Sequence, residues 1–193
     1  AAFEAQPRVR VLFDNGAGTP QPFAPLASFE KSFSSWPIPG TQARSWYVGD
    51  GGTLADAPPA AGGEDRFTWD PAARPPTSLA GNPANGPGGL WTADPGYRWE
   101  PNPPGTAAVW TSAPLPADTA VIGAGAVDLW IQASVPDVDL QVTVAEVRPD
   151  GRETFVQNGW LRSSLRALDR RRSTELEPVL SLRRRTAAPL PAG

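Results

Sequence analysis

The chain has 193 residues and a formal net charge of −3, with 24 prolines, 19 glycines, eight tryptophans, seven phenylalanines, and neither histidine nor cysteine. So much proline and glycine disfavours long helices, so many large aromatics disfavour disorder, and the missing cysteines exclude disulfides and thiolate metal sites. Without imidazole the chain has no Ser-His-Asp triad of its own, and a zinc site would have to be built from carboxylates alone.

At this length one domain with a single core is expected. Aromatics combined with turn formers point to an all-β sandwich or barrel with long surface loops. PRVRVLFD (7–14) reads as the first strand, alternating Val9, Val11 and Phe13 and stopped by Asn15-Gly16. GTPQPFAPLA (18–27) is a proline-rich connection, and SFEKSFSSWP (28–37) alternates weakly, with Phe29 and Phe33 on one face. ARSWYVG (43–49) predicts a short strand before the Asp50-Gly51-Gly52 turn, and DRFTWD (65–70) predicts another. Residues 71–105 hold nine prolines and six glycines, and predict one long ordered loop carrying Leu90, Trp91, Tyr97 and Trp99. TAAVWTSAP (106–114) returns to strand, as does VIGAGAVDLWIQASV (121–135), with Val127, Leu129 and Ile131 on one face.

LQVTVAEVRPDGRETFVQNGWLR (140–162) predicts a β-hairpin. Leu140, Val142 and Val144 alternate with polar residues, and Arg148-Pro149-Asp150-Gly151 supplies the reversal: proline presets φ and Asp-Gly tolerates left-handed geometry. NGWLRSSLRALDRRR (158–172) fits either a helix, with Trp160, Leu161, Leu165 and Leu168 on one face, or an extended run followed by a loop.

Few short motifs carry chemistry. Ser28-Phe29-Glu30-Lys31 matches S-x-x-K, but the companion S-D-N and K-T-G elements are missing and the local pattern is that of a strand. Asp137-Val138-Asp139 near Asp128 could offer oxygens to calcium, but the spacing fits no EF-hand loop; no metal or cofactor is expected. Gly49-Asp50-Gly51-Gly52 lacks the lysine and helix of a phosphate loop, and no G-x-S-x-G elbow occurs. Charge is segregated. Residues 1–147 carry 7 basic and 15 acidic groups (net −8), and residues 148–185 carry 10 arginines against 5 acids (net +5). Arg170-Arg171-Arg172 and Arg183-Arg184-Arg185 dominate the basic end. These runs are not interleaved with aromatics as a single-strand binder requires, so pairing with the chain's own acids or with solvent is expected and nucleic acid is not. No stretch of 18 apolar residues exists to span a membrane, and nothing in the composition assigns a compartment.

DLWIQASVPDVDLQVTVAEVRPDGRETFVQNGWLRSSLR closely resembles a run in the C-terminal domain of cocaine-esterase-like hydrolases, the family that also contains X-Pro dipeptidyl-peptidases and glutaryl-acylase-type acyl hydrolases. The shared features are Asp137 and Asp139, the Pro149-Asp150-Gly151 turn, and Asn158-Gly159 with Arg162. PRVRVLFDNG, WYVGDGGTL (46–54), FTWDPAARPPTSLAG (67–81) and VWTSAPL (109–115) extend the resemblance over nearly the whole chain, in order.

The resemblance implies a jelly-roll β-sandwich of galactose-binding-domain-like type, spanning 1–193 as one non-catalytic accessory domain beside an α/β-hydrolase domain. It implies a serine hydrolase acting on a small ester or peptide, with Ser, Asp and His all outside this segment. Leu90 and Trp91, with Tyr97 and Trp99, are the candidates for shaping its substrate pocket. Family members continue with further strands, so the chain reads as a segment that stops before the last of them. The alternative is a carbohydrate-binding sandwich in which Trp91, Tyr97 and Trp99 stack on sugar rings. A structural or oligomerisation domain whose arginine-rich end contacts a partner is a third reading.

Overall fold

The computed structural model describes residues 4–13, 29–73 and 101–191. The fold is all-β, in keeping with a sandwich: seven strands and a few single-turn 3₁₀ segments occur among the described residues, and no α-helix. Backbone contacts divide the chain into two compact units, one of residues 1–36, 44–120 and 147–154, the other of 37–43, 121–146 and 155–193.

In the first unit β1 (Val9–Phe13) pairs antiparallel with β2 (Phe29–Phe33). Directly opposed residues share a face, so Val9/Phe33, Val11/Lys31 and Phe13/Phe29 lie on one side and Arg10/Ser32 and Leu12/Glu30 on the other. The Phe13 and Phe29 rings stack with centroids 4.5 Å apart, and an Arg10–Glu30 ion pair ties the opposite face. The period-two pattern read from Val9, Val11 and Phe13 is therefore real.

A second sheet orders β3 (Tyr47–Gly49), β4 (Thr53–Ala55) and β5 (Thr111–Ser112). β3 and β4 form a tight hairpin whose turn places Gly51 and Gly52 at φ 68° and 74°, the left-handed region where a Cβ is costly. The turn was legible in Asp50-Gly51-Gly52, but the strand after it was not. Thr53-Leu54-Ala55 is too short to show a period. β5 joins β4 in parallel, and Thr111 N–H donates to Gly52 O at 2.8 Å. The expected strand over 106–114 thus shrinks to two residues.

Two expected strands do not form. Residues 65–70 run without a ladder. Their main fastenings are single bonds, from Thr68 N–H to Gly105 O at 3.1 Å and from Trp110 Nε1 to Asp65 Oδ2 at 2.8 Å. Residues 121–135 alternate as a strand should, yet no described residue pairs with their backbone, and Trp130 is fully exposed. Alternation specifies which side chains share a face, but a strand also requires a neighbour to take its N–H and C=O groups.

β6 (Asp139–Val147) and β7 (Glu153–Arg162) form the predicted hairpin, with residues 139–146 and 155–162 counted in the second unit and its tip, 147–154, in the first. Gly151 N–H donates to Arg148 O at 2.8 Å, Arg148 N–H donates to Arg152 O at 2.9 Å, and Gly151 sits at φ 78°. This is a type I turn over Pro149-Asp150 closed by a glycine bulge, as that sequence demands. Beyond β7 the chain makes one 3₁₀ turn, Ser163–Leu165, so of the two readings of 158–172 it is the extended run followed by a loop that holds. Ile38 is the one apolar side chain that is buried among the described residues; Thr154 and Ser163 are buried polar ones.

Candidate functional site

The tightest polar constellation lies where the hairpin base meets the segment after it. Asp137 precedes β6, and Ser163 and Ser164 follow β7, so the pairing of the strands brings them together. Ser163 N–H donates to Val138 O at 2.8 Å, continuing the ladder one step. The Ser163 hydroxyl donates to Asp137 Oδ1 at 2.8 Å and accepts from Val138 N–H at 3.1 Å. Ser164 reaches the same carboxylate twice, through N–H to Oδ1 at 2.9 Å and through its hydroxyl to Oδ2 at 2.8 Å.

One face along, Arg162 forks onto Asp139, Nε to Oδ1 and Nη2 to Oδ2, both at 2.8 Å. The C-terminal segment closes over the base: Ala188 N–H donates to Ser164 O at 2.9 Å and Leu190 N–H to Pro136 O at 2.7 Å, while the Arg166 guanidinium donates to Ser163 O and Ala188 O.

The electrostatics follow from these contacts. Hydrogen bonds from the Ser163 and then the Ser164 hydroxyl hold the Asp137 carboxyl below its ordinary range, against the opposing effect of desolvation. The Arg162 fork lowers Asp139, and Asp139 in turn raises Arg162. A carboxylate so stabilised is a poor proton acceptor, and Ser163, 2% exposed, is closed to a substrate. The arrangement is an anchor. It fixes three chain segments, with the Ser163 and Ser164 hydroxyls both spent on the Asp137 carboxylate.

Asp137 and Asp139 were singled out in the sequence as oxygen donors; their oxygens are engaged by serine and arginine instead. No group of three or more acidic residues positioned to hold a metal ion occurs among the described residues. Ser163 and Ser164 were missed, and the signal was present. They directly follow the Asn158-Gly159…Arg162 motif, so the strand that ends in Arg162 delivers them to the Asp137-x-Asp139 turn. The four candidates for a substrate pocket, Leu90, Trp91, Tyr97 and Trp99, lie outside the described residues. Each unit carries large exposed apolar side chains: Trp36, Phe67, Trp69 and Val109 in the first, and Val121, Trp130 and Trp160 in the second.

No helix among the described residues is long and apolar enough to cross a membrane. No curated protein and no solved structure matches the chain. The family model of the X-Pro dipeptidyl-peptidase C-terminal non-catalytic domain matches residues 1–189. A match over nearly the whole length, on a histidine-free chain whose polar centre is an anchor, identifies the chain as a member of the X-Pro dipeptidyl-peptidase C-terminal non-catalytic domain family.

Proposed function

We propose that this chain is an accessory β-domain that packs on an α/β-hydrolase catalytic domain and helps shape the pocket for a small acyl or X-Pro peptide substrate. The observation that carries this reading is the match of residues 1–189 to a domain described as non-catalytic in a peptidase, in a chain with no histidine of its own. A non-catalytic domain of a peptidase has a catalytic partner, and there a serine would form the acyl-enzyme with a histidine to move its protons. The exposed tryptophans, Trp69, Trp130 and Trp160 among them, support packing, because large aromatics left in water are surface that burial against a partner would stabilise. In this reading Leu90 and Trp91, with Tyr97 and Trp99, contribute apolar wall to the pocket.

The test uses the complete protein, with this chain and its hydrolase domain together. Hydrolysis of an X-Pro anilide and of an aryl ester is measured for the unaltered protein and for the Leu90→Ala and Trp91→Ala variants. Loss of apolar contact worth about 1.4 kcal/mol raises KM about tenfold while kcat changes less. Unchanged KM for both substrates in both variants would remove the pocket role. Two independent thermal transitions, one for each domain, would remove the packing.

A further inference from the structure

Residues 166–185 form an arm whose two arginine runs are held by one short ladder. Asp169 N–H donates to Val179 O at 2.8 Å, Ser181 N–H donates to Ala167 O at 2.7 Å, and Leu168 bridges Leu180 between them. The Ser173 hydroxyl knits the far end, donating to Asp169 O and accepting from Val179 N–H. Arg170, Arg171 and Arg172 leave one end of this ladder, and Arg183, Arg184 and Arg185 the other. All six are exposed, and none has an ion-pair partner among the described residues. The arm carries seven arginines against Asp169, Glu175 and Glu177, a net of +4. Among the described residues, then, these arginines meet solvent and not the chain's own acids.

A second feature marks the same place. Leu182, immediately before the second run, has φ 49°, the one non-glycine residue with positive φ among those described. A leucine in the left-handed region is strained, and a retained strain points to a use for the conformation it imposes. Leu168, in the ladder, and Leu182, next to the second run, are both exposed, so the arm offers apolar as well as cationic surface.

The chain itself contains the complement. Residues 50–70 carry Asp50, Asp56, Glu64, Asp65 and Asp70 against Arg66, a net of −4. Asp56 pairs with Arg44 and Glu64 with Arg66, which leaves Asp50, Asp65 and Asp70 without a cation among the described residues. This segment also exposes Phe67 and Trp69. We infer that the arginine arm is a self-association surface, and that its partner is the acidic 50–70 segment of a second copy of this chain. Arginine forks onto carboxylates in two parallel hydrogen bonds, so a cationic arm meeting an acidic, aromatic surface gains both geometry and charge. A nucleic-acid partner is the less favoured occupant, because the side chains exposed between the arginines are leucines and not stacking aromatics.

Sedimentation equilibrium tests this on the chain itself. In about 0.1 M salt the mass rises with concentration above the 20.4 kDa of one chain, and in about 1 M salt it returns there, as the screening length falls from about 10 Å to about 3 Å. One variant reverses the arm (Arg183→Glu, Arg184→Glu, Arg185→Glu) and another the acidic segment (Asp50→Lys, Asp65→Lys, Asp70→Lys). Each alone stays at single-chain mass. Mixed together they associate again, because one supplies an intact acidic segment and the other an intact arm. That recovery also shows that neither variant is merely misfolded. A single-chain mass for the unaltered protein in low salt would overturn the inference, as would association that survives high salt, or a mixture that fails to recover. Arginine-dependent binding of single-stranded DNA by a chain that stays monomeric would overturn it in favour of nucleic acid.

Discussion

Replacing Ser163 by alanine isolates the part of the hairpin anchor that carries the most stability. The hydroxyl has two roles: it donates to Asp137 Oδ1 and accepts from Val138 N–H, and the side chain is buried. Alanine removes the donor and strands a half-buried backbone N–H. An intramolecular hydrogen bond contributes about 1 kcal/mol net, and an unsatisfied buried donor costs about 1–3 kcal/mol, taken here at the lower end because Val138 is only half-buried. The sum is about 2–3 kcal/mol, which for a chain of this size lowers Tm by about 5–10 °C. Ser164→Ala is the matched control. Its hydroxyl makes one bond, to Asp137 Oδ2, and its N–H to Oδ1 survives the substitution, so the cost is about 1 kcal/mol. Thermal and urea unfolding of the two variants beside the unaltered chain measures the difference. Equal losses, or a larger loss for Ser164→Ala, would refute the assignment of the Val138 N–H to the Ser163 hydroxyl.

Acid sensitivity follows from the same anchor. Asp137 and Asp139 are both lowered from 3.8, so their contribution is complete above the unfolded value and is lost as pH falls from about 4 through the depressed folded values. Urea midpoints at pH 7, 5, 4 and 3 should hold to about pH 5 and then drop, and the drop should shrink in an Asp137→Asn, Asp139→Asn chain; an unchanged drop there would assign acid sensitivity to other carboxylates. At the β3–β4 turn, Gly51→Ala meets open space and costs about 1 kcal/mol for its positive φ alone. Gly52→Ala should cost about 1 kcal/mol more, because its Cβ would stand 3.0 Å from Val109 O, a backbone atom held near β5. Equal Tm shifts for the two variants would mean that the Val109 carbonyl gives way freely.

The local chemistry of the chain was readable without coordinates. Pro149-Asp150-Gly151 specifies its turn because proline and glycine restrict and widen φ at fixed positions of that turn. Val9, Val11 and Phe13 specify a strand because side chains two apart share a face. The motifs that carried the family resemblance were local in the same way, and the match over residues 1–189 agrees with them.

Pairing was not readable. Residues 121–135 alternate as clearly as β1 yet gain no ladder among the described residues, and Thr53–Ala55 shows no pattern yet takes neighbours on both sides. The difference lies in which backbone groups find a partner, and that depends on residues distant in sequence. The anchor has the same character. Asp137 and Ser163 are 26 residues apart, and only the closing of the hairpin makes a serine the partner of that carboxylate. Composition by itself determined that this chain holds no histidine-based catalysis, that it is a β-protein, and that its charge is divided between two regions. Only the tertiary structure decided that Asp137 and Asp139 spend their oxygens on holding the chain, and that six arginines stand exposed, because both outcomes turn on contacts between segments that the chain brings together only by folding.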